Sequence, residues 1–151
     1  MLWKTHVAFG ILSALAVLPF LMPANLFLFF SVVILSSILP DIDHTKSKIS
    51  SKIPIIPSII QLFFKHRGII HSLPFMALVA YIVNIFLGRE LAIAFLVGFL
   101  SHLIADGLTI SGINFLHPFA QLRLQGFVET GSITETFFFI LLIFIMAIVL
   151  F

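Results

Sequence analysis

Apolar residues run through this chain in long blocks, and the polar residues gather between them. Five blocks read as helices of roughly membrane-crossing length: residues 6–22, 24–39, 69–87, 91–108 and 133–151. A helix needs about 20 apolar residues to cross the hydrocarbon core, fewer where the bilayer thins or the helix ends are polar. The first two blocks are short, so they are expected to tilt strongly or sink only partly. The breaks are Pro23, "PDIDH" at 40–44, "GRE" at 88–90 and a glycine-containing loop over 107–132. The pattern predicts an all-α, polytopic membrane helix bundle of about five transmembrane helices.

Composition agrees with the pattern. The chain has 151 residues, room for a single domain, and is 61% hydrophobic, 9% charged and rich in phenylalanine (19 residues). A mean hydropathy of +1.25 excludes a water-soluble globule. The net charge of +2 comes from so few groups that it signals no nucleic-acid partner. Cysteine is absent, which removes disulfides, thiolate metal sites and cysteine nucleophiles. The first apolar run follows a short basic start but lacks a small-x-small cleavage pattern, so it is expected to be retained as a span.

Charge placement adds orientation. If the five blocks alternate in direction, one side receives the start of the first, the end of the second, the start of the third, the end of the fourth and the start of the fifth. On that side fall Lys4, Lys46, Lys48, Lys52, Lys65, Arg67 and Arg123, and only Arg89 lies opposite. The positive-inside rule makes it the cytoplasmic side of an inner or cytoplasmic membrane, with the N-terminus inside. All six histidines share it, as do all acids but Glu90. Polar loops explain part of this bias. They do not explain His6, His71, His102 and Asp106, which belong to helices.

The loops on that side also carry pattern. Residues 52–65, "KIPIIPSIIQLFFK", form an apolar stretch bracketed by lysines and too short to span, which suits an interfacial segment. A loop packed over the bundle is the alternative. The loop over 107–132 is broken by glycines and Pro118 and is expected to fold back over the helix ends as a cap.

Four weak signals converge on chemistry. In "SHLIAD", His102 and Asp106 are i and i+4 and share a helix face, a spacing with which two side chains ligate one metal. In "KHRGIIHS", Gly68 separates His66 in the loop from His71 in the first helical turn, and Arg67 is a fork-shaped cation suited to phosphate or carboxylate. "PDIDH" puts Asp41, Asp43 and His44 at a helix tip stopped by Pro40, where two acids oppose the helix dipole and call for a cation. His6 lies in the first turn of the first span. Each alone has a plainer reading: a helix-tying hydrogen bond, a headgroup anchor, a solvated helix end, an interfacial histidine. Together, at one depth on four helices, they predict a divalent metal site of one or two ions at the cytoplasmic ends. The ligand types favour zinc, with manganese or iron as alternatives. Arg67 and Arg123 would serve an anion.

"ILPDIDHTKS", "KHRGIIHS" and "GFLSHLIADGLTISGINFLHPF" resemble the YdjM-like family of membrane-bound metal-dependent hydrolases, also described as LexA-binding inner-membrane-associated proteins. The LexA association is not carried over. More distantly, the order of motifs is similar to the superfamily of zinc-dependent phospholipase C and P1 nuclease. That resemblance implies one metal on Asp41, His71, His102 and Asp106 and a second on His6 with Asp106, Asp43 competing with Asp41. The superfamily's third site would need a later His and an HxxxE pair, and only His117, Glu129 and Glu135 follow here without that spacing.

The resulting expectation is a hydrolase that cleaves a phosphoester of a phospholipid, an isoprenoid phosphate or another membrane-associated substrate. Arg67 and Arg123 would stabilise charge, and Asp43 or His66 would act as general base or acid. A transporter is disfavoured because the span centres carry only serines, Asn84 and glycines as polar or small features. A non-enzymatic membrane protein with a structural metal or a protein partner is the remaining alternative.

Overall fold

The computed structural model describes residues 1–43 and 69–150. Its helices are α1 (Trp3–Leu21), α2 (Leu26–Ile38), α3 (Leu73–Leu87), α4 (Arg89–Gly107) and α5 (Ile133–Leu150). Between α4 and α5, β1 (Ile113–Asn114) pairs antiparallel with β2 (Arg123–Leu124). The helices α1, α4 and α5 are long and apolar enough to cross a membrane. The apolar helices α2 and α3 have 13 and 15 residues. At 1.5 Å per residue they reach only about 20 and 22 Å of a roughly 30 Å hydrocarbon core. The interfacial segment expected over 52–65 lies outside the described residues.

Local chemistry sets the helix boundaries. The Asn25 side chain accepts from Leu28 N at 3.0 Å and caps α2. Ser72 caps α3 through Phe75 N, with Pro74 in the first turn, where its missing N–H costs nothing. The third helix therefore starts at Leu73 rather than at 69, and Ile69–His71 form a 3-10 turn before it. The break expected over 88–90 contracts to Gly88, whose φ of 87° is open to glycine. Arg89 and Glu90 instead open α4. Past α2, the chain tightens into a 3-10 turn, Leu39–Asp43, as Pro40 removes a backbone donor.

The core is organised around α4. Its Phe95, Phe99 and Leu103 pack with Ala80 of α3 and Ile113 of β1, and its Ala94 packs with Ala14 of α1 and Phe29 and Val33 of α2. Small residues let these helices approach closely. A Cβ on Gly98 would run into the Val33 carbonyl and the Ser36 hydroxyl, and one on Gly10 would sit 3.0 Å from Ser37 Cβ. By contrast, α5 leans on α1, with Phe138 edge-on to Phe9 and Lys4 Nζ 5.1 Å from the Phe139 ring centre.

Contacts at the helix ends fix their grouping. His6 meets Asp41 and Asp106, His71 meets Asp106, and Leu2 meets Glu135. The start of α1, the turn after α2, the start of α3, the end of α4 and the start of α5 therefore share one end of the bundle. At the other end Glu90 accepts from Ala24 N at 3.1 Å. The segment after α4 returns to the first end: Leu73 N donates to Phe115 O at 2.8 Å, Val128 N donates to Leu108 O at 3.0 Å, and Ile113 and Val128 are buried.

Candidate metal centre

Four elements bring five side chains together. α4 supplies His102 and Asp106 from one face, one turn apart. α1 supplies His6 from its first turns, the 3-10 turn after α2 supplies Asp41, and the 3-10 turn before α3 supplies His71. His6, His71, His102 and Asp106 are fully buried, and the Asp41 side chain is 19% exposed, so Asp41 marks the side from which the cluster is reached.

The spacing could accommodate a shared ion. Asp106 lies 3.4 Å from His6 (Oδ1 to Nε2), 3.8 Å from His102 and 3.9 Å from His71 (Oδ2 to Nε2). Asp41 lies 3.8 Å from His6 Nε2 and 3.9 Å from His102 Nε2. One ligand atom from each of His6, Asp41, His102 and Asp106 can be chosen so that all lie within 4.8 Å of one another. Two ligands each about 2.0–2.2 Å from a common ion stand at most about 4.4 Å apart. Most of these separations are therefore too long for a hydrogen bond and right for a shared cation.

The tautomer of His102 supplies a second test of fit. Its Nδ1 lies 2.8 Å from the Ser37 carbonyl oxygen, which can only accept. Nδ1 therefore carries the proton, and in the neutral ring Nε2 presents a lone pair to the two carboxylates. Lone pair and anions repel across that gap, and a cation placed in it turns every pair attractive. His6 Nδ1 makes no hydrogen bond among the described residues, although the ring is fully buried and stacked 4.0 Å from His102. Two imidazoles and two carboxylates are a donor set that suits zinc and admits manganese or iron. The Met1 amino group lies 2.7 Å from Asp106 Oδ1.

The five residues expected as ligands thus meet, with His71 at the edge, touching Asp106. Arg123 stands apart from them: it is exposed on β2 and its Nη2 donates to the Ser111 carbonyl at 2.7 Å. His66, Arg67 and the side chain of Asp43 lie outside the described residues. Two contributors carry no ligand signature in the sequence. Ser37 acts through its backbone carbonyl, which any residue would offer. Glu135 is buried and accepts from Leu2 N, from Thr5 Oγ1 at 2.8 Å and from Gly131 N at 2.6 Å. Its signal is "SITE", residues 132–135, the Ser-x-x-Glu spacing of a capping box ahead of an apolar helix.

Comparison with known proteins gives the family. The profile of the family described as YdjM inner membrane protein matches residues 1–151, and the chain belongs to that family. It is 34% identical to YvsG of Bacillus subtilis over 140 residues, covering 87% of this chain and 83% of the relative. It is 36% identical to the inner membrane protein YdjM of Escherichia coli over 91 residues, covering 56% of this chain and 46% of the relative, and YdjM of Shigella flexneri matches to the same extent. The match thus spans about half the length of the two YdjM proteins. No solved structure matches the chain.

Proposed function

We propose that this member of the YdjM inner membrane protein family is a single-domain, membrane-bound, metal-dependent hydrolase that cleaves a phosphoester of a lipid or other membrane-associated substrate. The observation that carries the reading is the convergence of the His102 lone pair and the Asp41 and Asp106 carboxylates on one gap beside His6. His6, Asp41, His102 and Asp106 would hold one ion, and His71 with Asp106 would complete or extend the set. A bound ion would supply Lewis acidity and bring the ionisation of water close to neutral pH.

The chain's own residues do the rest. Ser37 fixes the His102 tautomer so that Nε2 faces inward. Asp41 is the ligand with a path to the outside, so substrate phosphate is expected to approach across it. Arg67 would pair the phosphate oxygens bidentately, and Asp43 or His66 would move the proton. A multi-pass arrangement with this end facing the cytoplasm is supported by the sequence, in which alternating spans assign seven basic residues to one side, and it would bring the cluster near lipid headgroups.

The test begins with metal. Purification in detergent without chelator, followed by elemental mass spectrometry, is expected to give about one or two zinc or manganese ions per chain. Phospholipid and isoprenoid-phosphate substrates then report hydrolysis that Asp106→Ala abolishes. Wild type that folds but takes up no metal on reconstitution rules the hydrolase out.

One observation favours a second reading. Two histidines and two carboxylates suffice to close a four-coordinate site, and three of these residues are fully buried, as in a structural metal centre. Cobalt-loaded protein separates the two readings: a visible spectrum that shifts on adding phosphate indicates an open position, and one that does not indicates a closed, structural site.

A further inference from the structure

We propose that Glu135 is a positioning residue of the metal centre: from α5, its carboxylate sets the first turn of α1 and thereby the place of His6. The inference rests on reading the His–Asp cluster as a metal site.

The start of α1 is poorly equipped on its own. A helix leaves its first N–H groups without intrahelical partners, and a negative charge there is favourable. The first turn of α1 has no acid, and Leu2 at its N-cap has no side-chain acceptor. Glu135 fills that role from another helix. One oxygen, Oε1, accepts from both Leu2 N and Thr5 Oγ1, the N-cap and third residues of α1. The other, Oε2, accepts from Gly131 N, just ahead of its own helix.

The sequence makes this arrangement readable as a diverted motif. In a capping box the Ser hydroxyl accepts from the Glu backbone N–H, and the Glu side chain turns back to the Ser N–H. The first half is present, with Glu135 N donating to Ser132 Oγ at 3.3 Å. The second half is redirected, to Gly131 on one side and across to α1 on the other. One carboxylate thus caps two helix starts.

The link to the centre is the next residue. Thr5 and His6 are adjacent on α1, so Thr5 faces Glu135 while His6 turns toward Asp106, 3.4 Å away. A rotation or slip of α1 large enough to break the Thr5–Glu135 bond would carry His6 Nε2 out of ligand range. Both Glu135 oxygens are held by N–H and O–H donors, and Glu135 is not part of the convergent ligand set. Its role is orientation, not coordination.

The experiment uses full-length protein in detergent, with Glu135→Gln, Thr5→Val, Thr5→Ser and His6→Ala beside wild type. Zinc affinity is read by competition with a chromophoric chelator, ligand geometry by the visible spectrum of the cobalt form, and fold by melting temperature without metal. Glu135→Gln is expected to weaken zinc binding about 10–100-fold, the usual range for losing a group that orients a ligand. Its cobalt spectrum should move toward that of His6→Ala. Thr5→Val should weaken zinc binding less than Glu135→Gln does, and Thr5→Ser should restore it. If Glu135→Gln fails to fold, the Thr5 pair carries the test. Wild-type affinity and spectrum in variants whose melting temperature alone has dropped would overturn the proposal and leave the metal reading intact. Wild type that binds neither zinc nor cobalt would overturn both.

Discussion

The helices α4 and α5 are nearly equal in length and could each cross a membrane, yet they occupy opposite situations. α5 has a mean hydropathy of 2.7 and is 11% buried, whereas α4 has 1.5 and is 56% buried. The more apolar helix is the more exposed one. Lipid imposes this inversion, because a helix surrounded by acyl chains gains by being apolar all round, while one surrounded by other helices can carry small and polar residues. α4 uses that allowance for Gly98 at its closest approach to α2 and for His102 and Asp106 at its end. In a membrane chain, low hydropathy within a span therefore marks the helix at the centre.

The contrast can be broken most forcefully at Gly98. Gly98→Leu drives a side chain into the Val33 backbone, and the expected cost exceeds about 3 kcal/mol, seen as loss of the monodisperse peak in size-exclusion chromatography. A folded, stable variant would mean that α2 and α4 are not pressed together. Metal comes next. Stripping it with chelator is expected to lower the melting temperature, and at free metal 100-fold above its dissociation constant the loss is about 2.7 kcal/mol. Asp106→Ala should remove that chelator sensitivity together with bound metal. The smallest effect belongs to α5: Ile140→Ala, on an exposed face, should stay within about 0.5 kcal/mol in thermal unfolding. A cost near that of a core truncation would show this face covered by protein and would sharpen the comparison into one between two interfaces.

Much of this is legible in the sequence, for identifiable reasons. The i, i+4 spacing of "SHLIAD" puts His102 and Asp106 on one face whatever surrounds them, and Pro40, without a backbone donor, breaks the α-helical ladder at the end of α2. Counting alternating apolar blocks then brings His6, Asp41 and His71 to the same end. These are local or combinatorial properties. α3 starts four residues past the onset of its apolar block: Ile69 and Ile70 look like helix interior, and only the Ser72 cap ahead of Pro74 marks the true start. Ser37 was invisible because its contribution is a main-chain oxygen. Glu135 stood in a recognisable local motif whose partner lies 130 residues away, and no local pattern announces such a reach.

The Glu135 bonds also bear on the order of biosynthesis. α1 is made before α5, and Thr5 meets its acceptor only after 130 further residues have been added. At roughly 5–20 residues per second, that delay is on the order of ten seconds. Through that interval the first turn of α1 must borrow its hydrogen bonds from water or from lipid headgroups. The arrival of α5 then releases those substitutes, so α5 completes a helix made long before it.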